Sequence, residues 1–115
     1  MRTTPGPAPE PASGPESGPT FSFTAELWEY PGKGTWIFVS VPPEQAEDIR
    51  CLTDGRRGGF GSVKVVAAIS RSLWSTSLFP SSEEGTFILP VKKAIRQAEQ
   101  VEAGDPVTVV LRLLL

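Results

Sequence analysis

The chain has 115 residues, with 11 basic and 13 acidic side chains, a net charge of −2, one cysteine and no histidine. That length is enough for one domain. The lack of histidine excludes histidine-based acid–base catalysis, the Ser-His-Asp arrangement and every histidine-containing metal site. A single thiol, Cys51, excludes an internal disulfide and a cysteine-rich zinc site, and it fits a reducing, cytoplasmic setting.

The first twenty residues differ in composition from the rest. They hold six prolines, three glycines and no large apolar side chain beyond Met1. Such a segment buries too little surface to offset its chain entropy, so residues 1–20 are expected to be a disordered tail. No apolar stretch follows Arg2, so it does not read as a secretory signal. Residues 21–115 then form one domain. Arg2 set against Glu10 and Glu16 places one negative charge in the tail and leaves the domain slightly acidic. That is not the footprint of a protein that grips nucleic acid through bulk charge.

"TFSFTAELWEY" (20–30) alternates, with Phe21, Phe23, Ala25 and Leu27 on one side, and predicts a half-buried strand. "PGKG" (31–34) is a turn, and "TWIFVSV" (35–41), apolar on both faces, completes a hairpin. "PPEQAEDIRCLTDG" (42–55) reads as a helix: prolines suit its first turn, Glu44, Glu47 and Asp48 suit its positive end, and Ala46, Ile49 and Leu52 are placed toward the core. Cys51, beside Leu52, is expected to be a buried, inert thiol. "RRGGFG" (56–61) is a loop. "SVKVVAAIS" (62–70) and "SLWSTSLF" (72–79) are strands, residues 80–85 a turn, and "TFIL" (86–89) a short strand. Pro90 opens a second helix whose apolar stripe is Val91, Ala94, Ile95 and Ala98. Gly104-Asp105-Pro106 ends it. "VTVVLRLLL" (107–115) is a last strand with Val107, Val109, Leu111 and Leu113 on one face. No stretch approaches the ~20 apolar residues of a membrane-spanning helix. The expected fold is mainly β: a small barrel of five to seven strands with two short helices.

Four segments in fixed order, "GTWIFVSVPPE", "WSTSLFP", "LPVKKAIR" and "AGDPVTVVL", resemble a bacterial family of small proteins, the domain-of-unknown-function family numbered nineteen-oh-five. The likeness runs over the whole domain. It implies a double-split β-barrel, an architecture also used by DNA-binding proteins of the AbrB and MazE type, and it implies no reaction.

The residues offer four candidate sites. Lys92 and Lys93 stand at the positive end of the second helix, and Arg96 lies four residues beyond Lys92. Both positions oppose the local charge by about 0.3–1 kcal/mol each. They are either a solvated face, with a lysine paired to Glu83 or Glu84, or an anion site with the helix amides. Arg71 and Trp74 flank a possible pocket mouth, where the indole stacks a planar ligand and the guanidinium binds its charge. Ser75 or Ser77 with Lys92 or Lys93 is the one catalytic pair on offer, and such a base must be buried to be neutral. Arg56 and Arg57 are the candidates for a nucleic-acid backbone, although their glycine-rich loop lacks the Gly-Lys-Ser/Thr ending of a phosphate-binding loop. Trp28 and Trp36 are assigned to the core or to a dimer contact. The resulting expectation is a non-catalytic module binding an anionic small molecule or a protein partner, with no metal or cofactor. The alternative is an AbrB-like DNA-binding regulator, and a Ser/Lys hydrolase ranks third. Homodimerisation stays open, since small barrels with exposed strands often pair to protect edges.

Overall fold

The computed structural model describes residues 18–32 and 36–115; most of the expected tail and part of the "PGKG" turn lie outside the described residues. Among these, seven antiparallel strands form a single curled, barrel-like sheet with two short helices, the mainly β architecture expected. The strands are β1 (Thr20–Glu26), β2 (Trp28–Glu29), β3 (Ile37–Ser40), β4 (Val63–Ile69), β5 (Ser72–Ser81), β6 (Thr86–Pro90) and β7 (Pro106–Leu113). Helix α1 is Pro43–Leu52 and α2 is Lys93–Glu99.

The sheet order is β1-β7-β4-β5-β6-β3-β2. Two stretches of chain serve both halves of it. β5 pairs with β4 as far as Leu78 and with β6 from Phe79 onward. β1 pairs with β7, and one residue later the same chain, now β2, pairs with β3. The two ends of the strand order are therefore joined through Leu27, and this continuity curls the sheet.

Inward positions alternate as a pleated strand requires. Val63, Val65, Ala67 and Ile69 of β4 face the interior, as do Val107, Val109, Leu111 and Leu113 of β7, and all eight are buried. Phe23, Leu27, Ile37, Val39, Val41, Trp74, Leu78, Phe87 and Leu89 belong to the same interior, and Ala46 and Ile49 of α1 join it, as do Val91 and Ile95 at α2. The α1 side chain Gln45 donates to the Ser22 carbonyl (3.0 Å), so the helix also covers part of the β1 edge.

Several expectations are corrected. The ordered domain starts ahead of Phe21: Thr20 is in β1, Pro19 accepts a hydrogen bond from the Leu113 amide (2.9 Å), and a Cβ at Gly18 would collide with the Leu113 carbonyl. The "TFSFTAELWEY" strand is broken at Leu27. In α1, Leu52 and Cys51 are exposed, and Thr53 is buried in their stead with its hydroxyl bonded to the Ile49 carbonyl (2.7 Å). Pro80 lies within β5 rather than in a turn. At that point β5 has left β4 and has one strand partner, the edge-like setting in which a strand accepts proline. Pro90 likewise ends β6, opposite Phe38, and does not open α2. The helix starts two residues beyond Val91 and lasts seven residues, and its Ala94 and Ala98 are exposed; Val91 and Ile95 alone of the expected stripe are buried. None of the described helices is long and apolar enough to cross a membrane.

The Leu27 side chain is fully buried where the strand changes partner. Leu27→Ala is expected to lower stability by about 3 kcal/mol, the usual cost of truncating a buried leucine, read as a lower urea midpoint. An unchanged midpoint would show that the corner carries no packing energy.

Candidate functional site

β3, β5 and the start of α2 meet around a cavity of about 480 Å³. Its position follows from the sheet order, because β6 separates β3 from β5 and then delivers the chain into α2. Three hydrogen bonds hold this frame. The Val91 amide donates to the Ile37 carbonyl (2.9 Å), tying the entry of α2 to β3. The Arg96 Nε–H donates back to the Val91 carbonyl (3.1 Å). The Ser72 hydroxyl donates to Glu99 Oε2 (2.6 Å), tying the far end of α2 to β5.

The cavity has an aromatic wall and a cationic wall. Trp74, 7% exposed, belongs at once to the core and to the lining, and Trp36, 57% exposed, stands at the rim. Ser75 and Thr76 add hydroxyl groups, and Ile37, Pro90 and Val91 add apolar surface. Lys92, Lys93 and Arg96 supply the charge, and among the described residues no acidic side chain lines the space. Lys92 is the extended residue that precedes α2 and Lys93 is its first residue; both are exposed. The expected ion pair with Glu83 or Glu84 does not form: among the described residues the one salt bridge joins Arg50 to Glu47 (2.9 Å). The two glutamates lie exposed in the turn before β6, where the Glu84 amide donates to Ser81 Oγ (3.2 Å). A more open depression of about 410 Å³ on another side of α2 shares Lys93 and Arg96.

Of the residues singled out in the sequence, Trp74, Lys92, Lys93 and Arg96 are brought together, and Ser75 with them. Arg71 is not. It is an exposed residue of the turn between β4 and β5, next to Ser70 with its positive φ of 55°, and does not line the cavity. Ser77 is outside the lining too. Arg56 and Arg57 follow α1, where the Arg56 amide closes a turn on the Thr53 carbonyl (2.8 Å), and neither reaches the cavity. The lining residue whose role the sequence reading missed is Trp36. Of the two places expected for it, the core is ruled out: strict alternation with the buried Ile37 and Val39 turns it outward.

The family described as "Domain of unknown function (DUF1905)" matches residues 23–111. The chain belongs to this family. The DUF1905 match spans the sheet from the first buried residue of β1 to Leu111 in β7, and every residue that lines the cavity falls within it. Its description assigns no activity. No curated protein matches the chain.

Arg96 holds the cavity frame through one neutral-acceptor bond to a backbone carbonyl. Arg96→Ala is expected to cost about 1 kcal/mol, measured as a shift in the urea midpoint. Arg96→Lys keeps the charge but lacks the Nε–H and should lose a similar amount. Full recovery by lysine would assign the effect to charge instead.

Proposed function

We propose that this DUF1905 domain is a non-catalytic binding module whose cavity takes a small anion with a planar, apolar body. The observation that carries the reading is the joining of Lys92, Lys93 and Arg96, with no carboxylate among the described lining residues, to a space walled by Trp74 and Trp36. Three cations gathered on one rim repel one another. Lys92 and Arg96, four residues apart, repel by a few tenths of a kcal/mol, and an anion relieves that repulsion. An indole face suits a flat ring or a conjugated carboxylate, and the volume lies within the roughly 300–1,000 Å³ of small-molecule pockets. The hydroxyl groups of Ser75 and Thr76 add neutral donors to the same wall. Neither lysine is withdrawn from water, as a proton-accepting lysine must be, which supports capture rather than proton transfer.

The reading is tested with aromatic carboxylates and aryl phosphates, titrated against the protein with tryptophan fluorescence and thermal unfolding as readouts. A charge-assisted hydrogen bond is worth about 1.5–3 kcal/mol, so Lys92→Ala and Lys93→Ala are each expected to weaken binding about tenfold or more. Both lysines are exposed, and their removal should leave the unliganded unfolding temperature nearly unchanged. If both variants respond to every compound as the parent does, the reading fails.

A further inference from the structure

Trp36 stands 57% exposed at the cavity rim. A side chain so open to water normally moves among rotamers, and a ligand that stacks on it must first stop that motion, which weakens binding. This indole is braced. Its backbone carbonyl accepts from the Tyr30 amide (2.8 Å), which carries the β2–β3 pairing one residue beyond Glu29 and Ile37. Its ring lies nearly parallel to that of Phe38, at 14° and with centroids 6.3 Å apart. Trp36 and Phe38 flank the buried Ile37, so they share the outward face.

Phe38 is held in turn from the neighbouring strand. Trp28, its cross-strand partner, packs against it at 5.3 Å, and Tyr30 meets it edge-on at 6.0 Å. The Trp28 indole is fixed by its own N–H, which donates to Ser40 Oγ (2.9 Å). These separations fall within the roughly 4.5–7 Å of interacting aromatic pairs. Phe38 is half-buried, and neither it nor Trp28 nor Tyr30 lines the cavity. The cluster reaches the site through one side chain, Trp36.

We propose that Phe38 is a positioning residue: it sets the plane of the Trp36 ring at the cavity rim, and through that ring makes the site prefer a planar anion to a non-planar one of equal charge. The inference rests on the anion-binding reading and sharpens it. Lys92, Lys93 and Arg96 act on charge and do not tell a flat body from a puckered one. An indole of fixed plane does, because a flat ring lies against its whole face and a puckered ring touches it at few atoms. A Trp36 ring free to turn would adapt to either shape. Phe38 removes that freedom before the ligand arrives, so the planar ligand alone gains the full contact.

The test titrates benzoate and cyclohexanecarboxylate, equal in charge and different in planarity, against the full chain. Occupancy is followed at the Trp74 indole N–H by NMR, a signal present in every variant used. The parent chain is expected to bind benzoate the more tightly. Phe38→Leu keeps apolar bulk without a ring plane. It should weaken benzoate about two- to tenfold, the range of one aromatic pair, and leave cyclohexanecarboxylate as it was. Phe38→Tyr keeps the ring and should restore the preference. In a Trp36→Ala background Phe38→Leu should add nothing, since the ring through which it acts is gone. An unchanged benzoate affinity in Phe38→Leu overturns the proposal. So does an equal loss for both anions, or a loss that persists without Trp36, since Phe38 is then a structural residue only. A parent chain that binds neither anion, or prefers neither, overturns it as well. Whether the anion-binding reading survives is read from the lysine variants and not from Phe38.

Discussion

At Leu27 the backbone of this chain is handed from one half of the sheet to the other. Its amide donates to the Asp105 carbonyl (2.9 Å) and its carbonyl accepts from the Gly104 amide (2.8 Å), so both groups are satisfied although the residue belongs to no strand. Buried backbone groups left without partners would be costly. The turn that supplies them is itself braced. Asp105 Oδ2 accepts from the Glu102 amide, the Asp105 amide donates to the Glu102 carbonyl, and Gly104 holds a φ of 98° that a side chain would disfavour. Without this clamp β1 and β2 would be free to run on as one strand, and the edges of the sheet would have no reason to meet.

The same turn positions the site. It follows α2 by a few residues, and Gln100 at the helix end takes a left-handed conformation, with φ 56°, that steers the chain toward it. The Val101 amide returns to the Arg96 carbonyl (3.0 Å). Thus α2 is anchored at its start by Val91 on Ile37, near its end by Ser72 on Glu99, and beyond its end by the corner clamp. A seven-residue helix has little stability of its own, because nucleation is costly and few bonds follow. Its placement comes from these anchors, and the lysines are held beside Trp74 by the closure of the sheet rather than by helix propensity. Their mutual repulsion and their opposition to the helix dipole each amount to about 1 kcal/mol or less on an exposed surface, which the anchoring easily exceeds.

Much of this was legible in the sequence because period two is unambiguous in long strands. β4 and β7 show it over seven and eight residues, and both were found where expected. The break at Leu27 was not legible, since the inward parity of Phe23 runs without interruption up to Leu27 itself. What divides the strand is a pair of hydrogen bonds to a turn late in the chain, and no local pattern carries that. In α1 the error was one of period. Spacing three from Ile49 selects Leu52, whereas spacing seven from Ala46 selects Thr53, and at 3.6 residues per turn the second stays closer to the buried line. In α2 the prolyl signal misled: Pro90 closes a strand, and the helix begins only after two extended residues. The cluster of Trp74, Lys92, Lys93 and Arg96 was readable as candidate chemistry, but Arg71 was wrongly grouped with Trp74, because proximity in sequence across a tight turn does not put two side chains at one end of a barrel.

The division of labour around the cavity follows from the small size of the domain. About ninety-five residues bury a limited core, and a chain of that size cannot spare a separate wall for a pocket. Trp74 therefore serves both: its ring packs among core side chains and also faces the cavity. Changes there alter the interior and the cavity wall together. Trp36, Lys92 and Lys93 are exposed, and their side chains contribute little to the interior. They can vary with little effect on the fold, so the chemistry of the rim can change while the architecture stays. The constraint runs in one direction only. The corner at Leu27 and the aromatic wall at Trp74 fix where the cavity lies, and the exposed rim sets only the charge and the apolar surface at its mouth.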